Sequence, residues 1–302
     1  MRIGVIGSGA LGLYYGALLQ RAGHALHFLL RRDFEAISRS GLSVTSPQGD
    51  FHLADVQGYK NSSEIGPVDL VLVGLKAYAN EHLVELTRPL VAAETTILTL
   101  QNGLGNEDLL AGAFGDDSIV GGVAFLCCNR GEPGSVHHLD QGFIRIAEFG
   151  KGLSTRVEQL AETFNQAGIP CEACSDLTRV RWEKLVWNIP FNGLCALTDR
   201  PTDRLLNCPK TRQLIMEMMQ EVVAAANCQG LSELIEGPDF IEQLLHVTVG
   251  MGAYCPSMMI DRQQGSPLEL AAIYGIPLKR AAEANAAMTR VAMLHALLEA
   301  TE

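Results

Sequence analysis

The sequence predicts an α/β fold, a doubly wound parallel sheet in the first half followed by an all-α second half. Three observations carry this. Short β-branched runs alternate with amphipathic stretches up to about residue 175, and a glycine-rich turn follows the first run. Beyond Leu177 the period-two alternation gives way to helical spacing rich in Ala, Met, Leu and Glu. The boundary falls at 168–176 with no long Gly/Ser linker. Domains are therefore expected at 1–175 and 176–302, packed directly with a cleft between them.

The elements follow in order. Residues 3–6 form the first strand, and a helical pattern through Leu11, Tyr15, Leu18 and Leu19 stops at Gly23. Residues 25–30 form the next strand. The runs 42–46 and 51–56 flank Pro47-Gln48-Gly49 and read as a hairpin. Residues 68–75 are continuously apolar, as expected of a strand covered on both faces. Runs 95–100 and 119–125 follow in the same manner, after a Pro-bearing helical stretch between Leu75 and Thr95. Strands separated by helical segments imply parallel βαβ units. Runs 136–139 and 143–149, around Asp140-Gln141-Gly142, read as a later antiparallel hairpin. In the second half 212–228, 239–248 and 278–300 read as helices.

Composition narrows the function classes. A chain of 302 residues with 47% hydrophobic residues excludes a disordered or collagen-like chain and a small disulfide scaffold. With 34 acidic against 23 basic residues the net charge is −11, which disfavours nucleic acid as a partner. An anionic ligand must then be held by a few local cations or by backbone N–H groups. No apolar run reaches the ~18 residues of a membrane span. Met1-Arg2-Ile3 enters a strand-like run without a leader pattern, and eight cysteines read as reduced thiols, so a cytoplasmic protein is expected. Cys171 and Cys174 have no second pair at ligand spacing, so no metal is expected.

The glycine turn is Gly7-Ser8-Gly9-Ala10-Leu11-Gly12, after a strand and opening a helix. Gly7 allows the tight turn, Gly9 a close backbone approach to pyrophosphate, and Gly12 close packing of helix on strand. The ligand's charge would sit at the helix N-terminus, among unpaired N–H groups. In this context the motif signals a dinucleotide-binding Rossmann domain. An NAD-type site places an acid at the end of the second strand. Here that strand runs into Arg31 and Arg32, which favour the 2′-phosphate of NADP(H). Asp33 follows and argues the other way unless it pairs with Arg32. Two solvated surface arginines are the competing reading.

In the second half, Lys184, Asn188 and Asn192 stand at i, i+4 and i+8 along one helix face, with Pro190 expected to bend that helix. A lysine with two carboxamides suits a carboxylate and a carbonyl. An exposed polar stripe is the alternative. Residues 256–270 read as a loop leading into a helix, with Ser266, Pro267 and Glu269 spaced as a capping box.

These residues, with Leu75-Lys76-Ala77-Tyr78, Gln101-Asn102-Gly103 and Ser257-Met258-x-x-Asp261…Glu269, resemble the ketopantoate reductases from residue 1 to about 275. The resemblance implies NADPH-dependent reduction of a 2-keto acid, most simply 2-dehydropantoate to pantoate in pantothenate biosynthesis. It implies Lys184 as general acid with Glu269 beside it, and Asn188, Asn192 and Ser257 on the substrate. Residues 7–12, Arg31, Lys76, Asn102 and Cys127 would hold the cofactor, Cys127 through its backbone. Ala79, Ile260 and Leu268 replace polar residues frequent in the family, which bears on the substrate more than on the reaction. Another 2-keto acid, or a non-catalytic NADP(H)-binding sensor or partner protein, are the competing functions. Apolar helix faces admit a homodimer through the helical domain.

Overall fold

A parallel sheet whose strands are apolar throughout needs helices over both faces, and its crossover connections supply them. The computed structural model describes residues 1–302, which divide into two compact units. The first comprises Met1–Gln101 and Asn106–Leu177, the second Asn102–Gly105 and Thr178–Glu302.

In the first unit β1 (Arg2–Ile6), α1 (Ala10–Arg21) and β2 (Ala25–Leu29) form the opening βαβ. α2 (Phe34–Ser40), β3 (Leu42–Thr45), β4 (Phe51–Leu53) and β5 (Gln57–Tyr59) follow. Then come β6 (Leu70–Val73), α3 (Leu83–Thr87), β7 (Thr96–Thr99), α4 (Asn106–Phe114) and β8 (Ile119–Arg130). β9 (Ser135–Glu148), α5 (Thr155–Gln166) and β10 (Cys171–Ala173) complete it. The ten strands lie in the order β4-β3-β9-β8-β7-β6-β1-β2-β5, with β10 also on β9. β1 pairs in parallel with both β2 and β6, so the strand order reverses beside it. At such a switch point the loop leaving the central strand is open to a ligand. The expected hairpin of β3 and β4 is present and antiparallel.

One hairpin lies elsewhere than the sequence suggests. Asp140-Gln141-Gly142 makes no turn; it lies inside the continuous strand β9, with positive φ at Gln141 (62°) and Gly142 (123°) and an irregular register against β8. Left-handed residues serve a bulge as readily as a turn. The reversal is at 131–134, closed by Ser135 N–H donating to the Glu132 carbonyl at 2.9 Å.

The second unit is helical: α6 (Leu177–Thr198), α7 (Thr202–Leu206), α8 (Pro209–Asn227) and α9 (Gly237–Gly250), then α10 (Ser257–Gln263), α11 (Ile276–Glu283) and α12 (Thr289–Glu299). Its core gathers Trp182, Val186, Phe191, Met219, Tyr274 and Val291. The run 278–300 breaks because Asn285 adopts φ 57° and Ala286 N–H turns back to the Ala281 carbonyl at 2.8 Å, a left-handed helix stop. A π-helical turn, Ala271–Gly275, precedes α11, where Pro277 cannot donate to the preceding turn. No helix is long and apolar enough to cross a membrane.

Candidate active site

The glycines of the turn differ in what surrounds them. A Cβ on Gly7, whose φ is 93°, would lie 2.2 Å from Leu75 N, and one on Gly12 would lie 2.3 Å from the Gly7 carbonyl oxygen. Both glycines are required by the protein's own packing. A Cβ on Gly9 would meet nothing within 4 Å. Gly9 is the N-cap of α1 and has no side-chain cap, and no acid occupies the first turn. Ser8 Oγ donates to the Leu29 carbonyl at 2.8 Å, fastening the turn to the end of β2. An uncapped helix start beside open space suits a pyrophosphate through Ser8, Gly9, Ala10, Leu11 and Gly12. Lys76 follows β6, the other neighbour of β1. Cys127 is buried in β8, and Cys128 Sγ contacts the Ala10 carbonyl at 3.8 Å, so this stretch lies beside the start of α1.

At the end of β2, Arg31 and Arg32 are exposed and Asp33 is buried. Asp33 does not pair with Arg32. Its carboxylate is bound by the Arg130 guanidinium and accepts the Gly134 N–H at 3.1 Å, both from the β8–β9 hairpin. Arg32 donates to the Gly131 carbonyl at 2.7 Å.

The second unit brings the other candidates together. Lys184, Asn188 and Asn192 occupy one face of α6, which continues through Pro190. An exposed stripe is excluded, because Asn188 and Asn192 are 4% and 2% exposed. Asn188 Nδ2 is buried with no protein partner, a donor that costs stability unless a ligand accepts from it. Asn192 Oδ1 accepts from Met258 N–H at 3.1 Å and from Ser257 Oγ at 3.5 Å, which leaves its amide end for a ligand. Ser257 begins α10, a helix where the sequence suggests a loop, with Pro256 as its N-cap.

The expected capping box does not form. Residues 266–269 are not helical, and Ser266 N–H instead donates to the Asp261 carbonyl at 2.8 Å. The wide turn at Ala271–Gly275 starts the helix later and leaves Glu269 buried at its threshold. Glu269 Oε2 accepts from Asn102 Nδ2 at 3.5 Å. Asn102 is held there by its own short segment: Leu104 N–H donates to the Ala272 carbonyl at 2.9 Å. Gly103, at φ 83°, lies so close that a Cβ would be 2.3 Å from the same oxygen. On the other side of the turn Tyr274 donates to the Ile189 carbonyl at 2.8 Å, and a Cβ on Gly193 would lie 2.4 Å from that hydroxyl.

Lys184 keeps some exposure but sits deep enough that burial dominates its proton affinity. Burial and the Arg181 guanidinium bring its ammonium down to about 7, against the Glu269 carboxylate, which raises it. Arg181, 3% exposed, is a charged neighbour of Lys184 that the sequence reading missed. Its position three residues before Lys184 on the same helix was the available signal.

Comparison with known proteins identifies the family. Residues 3–151 match the family described as "Ketopantoate reductase PanE/ApbA", and 176–302 its C-terminal domain. A 2-dehydropantoate 2-reductase of Nostoc sp. is 41% identical over 297 residues, covering 96% of this chain and 92% of that protein. The crystal structure of 2-dehydropantoate 2-reductase from Geobacter metallireducens GS-15 superposes with a TM-score of 0.98 at 56% identity, over 100% of both chains. That from Methylococcus capsulatus gives 0.90 at 31% identity, over 100% of this chain and 96% of the other.

Proposed function

The chain belongs to the ketopantoate reductase family and is an oxidoreductase acting on a CH–OH group, and from that premise we propose that it reduces ketopantoate with NADPH, with Lys184 as general acid. The reading places it in pantothenate biosynthesis, in the cytoplasm. Its main support is the row of Lys184, Asn188 and Asn192 on α6 with Glu269 in electrostatic reach of the lysine.

When bound, the nicotinamide supplies hydride to the carbonyl carbon. As negative charge develops on the carbonyl oxygen, Lys184 Nζ donates a proton to it, giving the hydroxyl, and regains a proton from solvent through its partial exposure. A value of about 7 suits a group that must release and recover a proton near neutrality. Glu269 opposes the loss of that proton before substrate arrives. Asn188 Nδ2 and the amide of Asn192 supply donors for the substrate's carboxylate and carbonyl oxygens, and the Ser257 hydroxyl oxygen is an acceptor for a substrate hydroxyl. On the cofactor side, exposed Arg31 supports a 2′-phosphate.

The test is turnover of a panel of branched 2-keto acids with NADPH and with NADH. Ketopantoate with NADPH should be preferred, and Lys184→Ala should abolish turnover while NADPH binding survives. Preference for another keto acid would reassign the substrate. Cofactor binding without turnover of any acid would remove the reductase reading. Arg31→Ala should weaken NADPH far more than NADH; equal losses would remove the 2′-phosphate assignment.

A further inference from the structure

The end of β2 carries an acid as well as two arginines, and in a nucleotide-binding sheet an acid there accepts the ribose hydroxyls and repels a 2′-phosphate. The fold disposes of that acid in a specific way. Asp33 is the N-cap of α2 yet makes no side-chain bond to its own helix. Its side chain is 3% exposed and is turned to the tip of the β8–β9 hairpin, where it meets the Arg130 guanidinium and the Gly134 N–H. The same tip accepts the Arg32 side chain through the Gly131 carbonyl. Gly134 fits there because it lacks a side chain: at φ 85° a Cβ would press on Ala36 Cβ and the Gly41 oxygen at 3.3 Å. Arg31, exposed, is not engaged by the tip. Burial, with Arg32 and Arg31 nearby, holds Arg130 below its ordinary proton affinity, so the three guanidiniums share one field. Against one carboxylate they leave a local excess of positive charge in a chain whose net charge is −11.

We propose that Arg130 is a cofactor-specificity residue: by holding Asp33 in a buried ion pair it withdraws the one carboxylate at the end of β2 from the ribose and leaves exposed Arg31 to meet a 2′-phosphate, with Arg32 held at the tip beside it. The inference rests on the NADPH reading above. Arg130 itself acts through Asp33 and is a positioning residue.

The experiment is the ratio of the binding constant for NADPH to that for NADH, from equilibrium titration without substrate, with the same ratio of kcat/KM beside it, in three variants and the wild type. In Arg130→Gln the acid loses its counter-charge, and the ratio should fall about tenfold or more through the NADPH arm. Asp33→Asn combined with Arg130→Gln restores the wild-type local charge and should recover the ratio. Asp33→Asn alone should keep the preference for NADPH at or above the wild-type level. Equal losses for both cofactors in Arg130→Gln would show a merely structural pair and overturn the proposal. So would a double variant that fails to recover, or a loss of NADH use in Asp33→Asn. If Arg130→Gln does not fold, because it leaves a buried charge unpaired, the other two variants decide. Retained preference in both supports the withdrawn acid, and its loss in either overturns it. A wild type without NADPH preference would instead remove the reading on which the inference rests.

Discussion

Replacing Lys184 by methionine should make the protein more stable and nearly inactive, and the two effects come from one cause. The side chain stays unbranched and only one atom shorter, but loses a charge that burial penalises. A fall from 10.5 to about 7 corresponds to ~5 kcal/mol against the ammonium. The folded value lies below the unfolded one. The penalty is therefore fully present below about pH 7, shrinks as the folded protein releases its proton above that, and is gone once the unfolded chain also deprotonates near 10.5. Lys184→Met should raise the unfolding temperature by several degrees at pH 6 and by much less at pH 10, read by thermal denaturation of both proteins at each pH. In wild-type assays of keto-acid reduction, kcat/KM should fall as pH rises through about 7, because the free enzyme loses its acid. The variant should lose about 10²–10⁴-fold in kcat/KM and show no such limb. A variant less stable than wild type at pH 6, or a wild-type profile flat from pH 6 to 9, would refute the argument.

Four further outcomes follow from the geometry. Glu269→Gln removes the charge that supports the Lys184 ammonium, so the alkaline limb of kcat/KM should move to lower pH; an unmoved limb would mean that the carboxylate does not act on the lysine. Gly9→Ala has room and should leave the unfolding midpoint near wild type while weakening NADPH binding at least about tenfold in a titration, since the methyl occupies the approach of the pyrophosphate. Gly7→Ala meets backbone at positive φ and should destabilise the fold by about 3 kcal/mol or more in urea unfolding. Gly193→Ala should displace the Tyr274 hydroxyl and cost about 2–4 kcal/mol, against about 1 kcal/mol for Tyr274→Phe, which loses only the bond to Ile189.

The sheet was legible because its central strands are apolar on both faces and its glycine turn has a fixed grammar. The Lys184, Asn188 and Asn192 row was legible because helical spacing alone aligns them. What escaped was set by contacts distant in sequence or by unusual backbone. Asp140-Gln141-Gly142 looks like a turn because bulges and turns use the same residues, and only pairing with β8 tells them apart. Glu269 reads as a helix cap because spacing assumes a regular helix, whereas the π-helical turn moves the helix start past it. Asp33 could not be matched to Arg130 from sequence, since 97 positions separate them.

The segment Asn102–Gly105 is knitted into the helical unit at Ala272, although the residues on either side of it belong to the first unit. The gene therefore has no single place at which it can be divided into two self-sufficient cassettes. A fragment begun at Thr178 would lack the piece that seats on its wide turn, and a chimera that exchanges helical halves between relatives must carry these four distant codons along with them. Recombination within the lineage is constrained to respect a join that is continuous in space and split in the coding strand.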